Sequence, residues 1–557
     1  MKTTYNEKRF DNFREIVCNS AEQFGSKPAF LRKIGEKTEP VSYSELKERY
    51  YRLSTFLLDM GLGGKRIAVT GKNCFEWVLS YLCAATVGVA VPIDRELKPD
   101  DVKEFLLSAD CKALLYDPAS TLPETGGMIT IPFPQADAIS AGGKYCAAGL
   151  SGSGYPVDAA RVNEIEFPHD ETRVLIFTSG TTGNSKGVCL SQYNICSNIY
   201  STVSIVKITE SDTTLSILPL HHTYECTLNC LLLLSKGACI TYVSSLRRIA
   251  SEIKEYRPTL LVVVPAVLKL LDSRIKATIV KSCPKRYRAF FEGMTLSRAL
   301  SETPLIVRRI IRSKVRSNLG GRLRLFIVGA AELDTELVHD FSALGIRTLQ
   351  GYGLTECSPL VAGNSDFYFN AESTGIAIPG VEMKIESPNE EGVGEIIARG
   401  DNIMLGYFND EAATERVMRG GWFHTGDLGY MDKDGALYIR GRIKNVIVTS
   451  NGKNIYPEEL ETRMSKYPEI KESLVLALKD GDVTKVKAKV FPDAGVIAEK
   501  LGHEPADEEI KAVVKGIIME INEQVPNYKR IDVIEILVNG LEKTTTQKIR
   551  RYGANVE

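Results

Sequence analysis

Two short stretches, "LLVVVPA" at Leu260–Ala266 and "LRLFIVGAA" at Leu323–Ala331, constrain the fold more than any other part of the chain. Each is a nearly unbroken apolar run that ends in proline or small residues. A strand with one face in water alternates apolar and polar residues; a strand covered on both faces does not. "RIAVTG" and "KALLYD" have the same character, and longer helix-like stretches such as "YSELKERYYRLSTFLLDMG" lie between such runs. The alternation predicts an α/β fold in which largely parallel, buried strands are layered against helices. A chain of 557 residues is too long for one compact core and suggests about three or four domain-sized units. "WVLSYLCAATVGVAVPI", Trp77–Ile93, is nearly long enough to cross a membrane, but Gly88 and Pro92 interrupt it. It reads as a buried helix followed by a buried strand, and no transmembrane segment is expected.

The character changes after Gly380. "GEIIARG", "GALYIRGR" and "KNVIVTSNGKNIYP" are short strands joined by glycine-bearing turns, which predicts an antiparallel or barrel-like section. From about Ile443 strands and helices mix, as in a small α+β domain. The boundary is therefore placed near Arg442, with one domain over 1–441 and another over 442–557. "DAISAGGKYCAAGLSGSGYP", Asp137–Pro156, is the most linker-like stretch and reads as a surface excursion.

A net charge of −1 argues against a nucleic-acid partner, which would need a basic excess. The twelve cysteines are scattered without a C-x-x-C pair or zinc-like histidine spacing. With no signal-peptide pattern, they point to reduced thiols in a cytoplasmic protein.

The chemistry begins at "IFTSGTTGNSKGV", Ile176–Val188. An apolar run, Val174–Phe177, leads into Thr178, Ser179, Gly180, Thr181, Thr182 and Gly183, with one cation following at Lys186. Glycines let backbone N–H groups approach a ligand closely, hydroxyls add donors, and the lysine supplies countercharge. These are the parts of a phosphate cradle. It is not a P-loop: aligned on Gly180 and Lys186, Ser185 stands where the second glycine belongs and Gly187 where the metal-binding hydroxyl belongs.

Three further clusters follow. "QGYGLTE", Gln350–Glu356, fails as a dinucleotide fingerprint, because Glu356 stands at the third glycine position. Tyr352 between two glycines offers a flat face for a base, and Thr355 and Glu356 offer oxygen ligands suited to Mg²⁺. The competing reading is a tight strand-to-helix turn. In "GWFHTGDLGYMDKDGALYIRGRIKN", Gly421–Asn445, Asp427 lies in a turn where its carboxylate could accept both hydroxyls of a ribose, with Arg442 as a matching donor. Asp432 and Asp434 lack the glutamate of a calcium loop and read as hairpin-turn residues. The basic "EKTTTQKIRR", Glu542–Arg551, taken alone, is a solvated end.

The order of these pieces carries more than any one of them. A small-residue phosphate loop, YGLTE, TGDLG, GR-x-K and a terminal K-T-x-x-x-K-I-x-R in succession resemble the adenylate-forming superfamily, over nearly the whole chain. "LPLHHTYE" and "LFIVGAAEL" are most similar to the long-chain fatty acyl-CoA synthetases within it.

The resemblance implies a large N-terminal domain of layered sheets and helices with a β-rich subdomain, and a small mobile α+β C-terminal domain. It also implies roles. The Thr178–Lys186 loop would hold the β- and γ-phosphates, with Thr181 beside the metal and Glu356 ligating Mg²⁺. Tyr352, flanked by Gly353, and Ala331 would lie on opposite faces of the adenine, while Asp427 and Arg442 would bind the ribose. His222 would line the path of the acyl carboxylate or thiol; the alternative for the His pair is turn packing. Lys548 matches the catalytic lysine, although Gln547 and Glu542 depart from the family's usual glycine and proline. Lys444 falls at the family's hinge, and "TSNGKNIYP" with Gly452 would line the pantetheine tunnel.

The implied reaction is ATP-dependent activation of an acid as acyl-AMP, followed by transfer to CoA. A medium- to long-chain fatty acid is expected, with the apolar "LNCLLLL" after "HHTYE" walling a tunnel. A fatty acyl-AMP ligase or a ligase that loads a carrier protein would share every nucleotide motif; an aryl-acid ligase and a non-catalytic nucleotide sensor are the remaining alternatives. Finally, Val307, Ile311, Val315 and Leu319 form one apolar stripe amid Arg308, Arg309, Arg312, Lys314 and Arg316. That segment is either an ordinary surface helix or a peripheral membrane contact.

Overall fold

The computed structural model describes residues 4–35, 37–133, 137, 145–147, 150–152, 155–178, 185–282, 294–449, 453–480, 483–543, 549–551 and 553–555. The expected α/β layering is present. A nine-stranded sheet has at its centre Arg347–Gly353, Leu325–Val328, Leu260–Val263, Thr213–Ser216 and Cys239–Tyr242, each parallel to its neighbour. The two apolar runs "LLVVVPA" and "LRLFIVGAA" contribute adjacent strands, in register from Leu260 opposite Leu325 to Val263 opposite Val328. All four residues of Leu260–Val263 are buried, which is why that run shows no alternation.

A seven-stranded sheet has Val89–Ile93 at its centre and Arg66–Thr70 beside it, the latter parallel to both Val89–Ile93 and Ala113–Tyr116. Trp77–Ile93 is resolved as expected: helix Phe75–Val87 is buried over nearly its whole surface and the strand Val89–Ile93 follows. Gly88 makes the break because a Cβ there would lie 2.1 Å from Lys65 O. Among the described residues, no helix is long and apolar enough to cross a membrane.

After Gly380 the chain forms the antiparallel section read from the sequence, with Val381–Glu386, Gly394–Gly400, Trp422–Met431 and Leu437–Arg442 paired in sequence. Asp432 closes the last hairpin, its carboxylate accepting from the N–H groups of Asp434 and Ala436. Beyond it, Ile470–Asp480, Val483–Pro492 and Val533–Ile536 form a three-stranded sheet with helices Pro457–Met464 and Asp507–Glu523 nearby. Its buried apolar cluster runs from Ile447 to Ile531 and takes no residue from earlier in the chain.

The basic segment is a helix, Leu305–Asn318. Its sequence-predicted stripe faces inward: Ile311, Val315 and Leu319 are buried and Val307 packs against the same core. That stripe is a core face, and it is not available to a lipid surface. Of the linker-like stretch, Asp137 pairs with Arg32 and Arg49, and Tyr145–Ala147 pairs with Leu150–Gly152.

Candidate functional site

One cavity of about 3060 Å³ lies where the ends of the two parallel sheets, the antiparallel sheet and the C-terminal section converge. Its polar centre is built on a cross-strand pair. Asp427 and Arg442 stand opposite each other in the hairpin, and Arg442 Nε lies 2.8 Å from Asp427 Oδ1. Tyr352, at the end of strand Arg347–Gly353, donates its hydroxyl to Asp427 Oδ2 at 2.8 Å. Asp427 is only 6% exposed, so the guanidinium and phenol offset the desolvation of its charge. Burial first, and then the charge of Asp427, push the Tyr352 phenol well above its ordinary pKa, so it stays a donor. Arg442 contributes charge as well as position. The three residues assigned separately to base and ribose are therefore one connected network.

Glu356 follows in the short turn Thr355–Cys357. The turn is set by close backbone packing: a Cβ on Gly353 would stand 2.0 Å from Pro359 O, so this position admits only glycine. Glu356 Oε1 accepts from Tyr407 Oη at 2.9 Å. Gly353, Thr355 and Glu356 all face the cavity. A carboxylate with a neighbouring hydroxyl, and no thiolate, is a hard-oxygen donor set that fits Mg²⁺.

The glycine-rich loop connects two strands and not a strand to a helix. Val174–Thr178 and Lys186–Leu190 pair antiparallel, with Lys186 opposite Thr178, and the next helix begins only at Gln192. This topology explains why the P-loop pattern fails. Thr178 and Lys186 line the cavity; Thr178 Oγ1 approaches Lys186 O at 3.4 Å, and Lys186 Nζ sits 4.3 Å from the centre of the Tyr407 ring. Ser179, Gly180, Thr181, Thr182 and Gly183 lie outside the described residues, as do Gly452 and Lys548.

Ala331 lines the cavity beside Ala330, whose φ of 69° is left-handed. His222 lines it too, as the residue that starts helix Thr223–Glu225, its ring 4.0 Å from that of His221. His221 Nε2 is 3.6 Å from Asp94 Oδ2, and burial pushes its pKa down to about 3, so it is neutral. Lys444 is exposed at the cavity edge, in the turn Ile443–Asn445. Of the expected tunnel wall "LNCLLLL" only Leu228 reaches the cavity; Leu231–Leu234 pack into the large core instead, Leu231 at the end of a π-helical turn, Cys226–Leu231, and Leu232–Leu234 in the helix that follows it. No described residue of "TSNGKNIYP" lines the cavity, whereas Ile549, Arg550 and Arg551 do.

Two further residues take part: Tyr407 has no sequence signal, whereas Glu225 is the glutamate of "LPLHHTYE". Tyr407 lies in "GYFND", outside the four clusters, yet touches both Glu356 and Lys186. Glu225 is fully buried, with its Oε1 accepting from Ser216 Oγ at 2.5 Å and Asn229 Nδ2 at 2.7 Å, and burial pushes its pKa up to about 7.

Parallel sheets, an antiparallel sheet and a small α+β section around one shared cleft are the architecture of the adenylate-forming enzymes. O-succinylbenzoate CoA synthetase (MenE) of Bacillus subtilis, solved with the acyl-adenylate intermediate OSB-AMP, superposes with a TM-score of 0.74 at 22% identity, covering 98% of both chains. ATP-bound MatB of Rhodopseudomonas palustris gives 0.73 at 23% identity over 97% of each. The AMP-binding enzyme model matches residues 18–408, and this chain belongs to that family. A long-chain-fatty-acid–CoA ligase ACSBG2 of Rattus norvegicus is 26% identical over 502 residues, 84% of this chain and 75% of that protein.

Proposed function

We propose that this protein is an AMP-forming acid–CoA ligase acting on a medium- to long-chain fatty acid. The observation that carries the reading is the Tyr352–Asp427–Arg442 network, set in the same cavity as Glu356 and Lys186. Tyr352 and Ala331 would flank the adenine, with Asp427 and Arg442 on the ribose. Lys186 and the Thr178–Gly183 loop would take the β- and γ-phosphates. The acid's carboxylate oxygen attacks the α-phosphorus, the bond to the pyrophosphate breaks, and acyl-AMP forms. The CoA thiolate then attacks the acyl carbon, giving the thioester and AMP. In the first step a carboxylate approaches a polyanion, so positive charge must be fixed in advance where charge develops. Lys548 would supply it at the α-phosphate; Ile549–Arg551, which follow it, line the cavity and support the assignment. Mg²⁺, held by Glu356 and Thr181, would neutralise the β- and γ-phosphates as a Lewis acid. His222 would border the path of the acyl carboxylate and the thiol.

Two chemistries in one site call for a moving part. On this reading 1–441 is the AMP-binding domain and 442–557 a mobile domain hinged at Lys444, with Gly452 beside the pantetheine. The separate core from Ile447 onward supports the division. So do the polar contacts between the parts, Thr462 Oγ1 to Glu332 Oε2 at 2.6 Å and Lys269 Nζ to Ser465 O at 2.9 Å, which exchange readily with water.

The fatty acid is supported by the ACSBG2 relative, and the o-succinylbenzoate enzyme makes an aryl acid the competing substrate. Pyrophosphate release across a panel of acids, with and without CoA, separates these readings. Each added methylene should contribute up to ~0.8 kcal/mol until the cavity is filled, so specificity constants should climb with chain length and then break. A flat series, or a preference for benzoate-like acids, contradicts the fatty-acid reading. Release that needs no CoA, with acyl transfer only to a carrier protein, assigns the other acceptor.

For the membrane the relevant face is the outer one. Leu305, Ile306 and Ile310 are 70%, 75% and 62% exposed, on a helix with five basic residues and no acidic one. This complements an anionic lipid surface. Ile306→Glu and Ile310→Glu should abolish salt-sensitive sedimentation with anionic liposomes. Wild-type protein that does not sediment contradicts the contact.

A further inference from the structure

Tyr407 lies outside the phosphate loop, YGLTE, TGDLG and GR-x-K, yet it touches both halves of the phosphate machinery. Its hydroxyl donates to Glu356 Oε1 at 2.9 Å, and its ring lies under Lys186, with Nζ 4.3 Å from the centroid. Its backbone is pinned between the same two partners. Tyr407 stands opposite Val188 in the strand that carries Lys186, and Phe408 N donates to Gly187 O at 2.7 Å. On the other side Met404 N donates to Glu356 O at 2.8 Å. Thr414 Oγ1 accepts from Tyr407 N at 2.8 Å and fixes the strand end. The strand Gly406–Tyr407 is thus a short rigid bridge between the phosphate loop and the metal carboxylate.

The chemistry of the two contacts differs. A phenol donating to one carboxylate oxygen directs the other oxygen's lone pairs away from itself, and so selects the rotamer Glu356 offers to a cation. The ring face attracts the ammonium of Lys186 and keeps it inside the cavity.

We propose that Tyr407 is a positioning residue that holds the phosphate-binding lysine and the metal-binding carboxylate in one register, so that nucleotide and Mg²⁺ bind as a unit. This rests on the nucleotide reading of the cavity. It goes beyond that reading by assigning the coupling of the two ligands to one side chain.

The test is equilibrium binding of ATP, with and without Mg²⁺, to wild type, Tyr407→Phe and Tyr407→Leu. Tyr407→Phe keeps the ring and loses the donor. Its affinity for ATP with Mg²⁺ should fall about tenfold, the scale of one hydrogen bond to a charged group, while metal-free ATP binding stays unchanged. Tyr407→Leu should in addition weaken metal-free ATP about threefold, through loss of the cation–π contact. If Tyr407→Leu does not fold, Tyr407→Phe decides alone. Equal weakening of both ligand forms in Tyr407→Phe, or no change in either, overturns the assignment while the nucleotide site stands. Wild type that binds no ATP, or binds it equally with and without Mg²⁺, overturns the site and this proposal together.

Discussion

Glu225→Gln removes one titrating proton from the wall of the cavity and changes almost nothing else in shape. Glu225 is fully buried and its pKa is raised from the ordinary 4.5 to about 7, chiefly by desolvation and against the hydrogen bonds from Ser216 and Asn229. A carboxyl whose folded pKa lies above its unfolded one binds its proton more tightly in the folded state. The stability it contributes is therefore complete below about pH 4.5 and is lost as pH rises through about 7. A shift of this size corresponds to about 3 kcal/mol. Gln cannot ionise, and its amide oxygen can keep accepting from both donors. Urea unfolding at a series of pH values from about 5 to about 8, followed on the same transition for both proteins, gives the comparison. The two should be close in stability at the acid end, and the variant should be the more stable by about 3 kcal/mol at the alkaline end. Other groups that titrate in this window, such as Glu461, raised to about 7 by burial, are present in both proteins and cancel. Parallel stability curves would refute the argument, since they would mean that Glu225 ionises in the fold without penalty.

Lys548→Ala should slow adenylate formation at least about a hundredfold, while thioester formation from supplied acyl-AMP survives; equal loss in both half-reactions contradicts its assignment. Lys444→Pro fixes one backbone dihedral at the proposed hinge, so adenylation should persist and CoA transfer collapse; normal rates for both would mean that this residue is not the hinge. Gly353→Ala places a methyl 2.0 Å from Pro359 O and should lower unfolding stability by about 3 kcal/mol in denaturant titration. A loss below about 0.5 kcal/mol would show that the turn carrying Glu356 is not tightly packed.

What was legible in the sequence is what local pattern can encode. Leu260–Val263 and Leu325–Val328 announce themselves because burial on both faces removes alternation, and they are adjacent parallel strands. The turn residues of the Asp432 hairpin are equally local. Tyr352, Asp427 and Arg442 were found as motif members, but their union in one network needs a contact across 75 residues, which no periodicity reports. The basic helix is legible in the sequence and the burial of its stripe is not, because an inward stripe and a lipid-facing stripe have the same spacing; only the neighbouring core decides. Leu231–Leu234 differ for a related reason: their composition suits a tunnel wall and a core equally, and the core around them decides. Tyr407 acts through Glu356 and Lys186, both distant in sequence, so a lone tyrosine carries no local mark of its role; Glu225 stands in "HHTYE" with its partners nearby, but the burial that raises its pKa is a tertiary property that no spacing reports.

The central claim, that a carboxylate oxygen of the acid attacks the α-phosphorus of ATP in this cavity, is tested most directly by isotope transfer. A fatty acid carrying ¹⁸O in both carboxylate positions is incubated with the enzyme, ATP and CoA, and the products are weighed by mass spectrometry. Attack at the α-phosphorus leaves one carboxylate oxygen on the nucleotide when the thiolate displaces it, so each AMP released should carry one ¹⁸O and the pyrophosphate none. Label in inorganic phosphate together with formation of ADP, or AMP that carries no label, would contradict it.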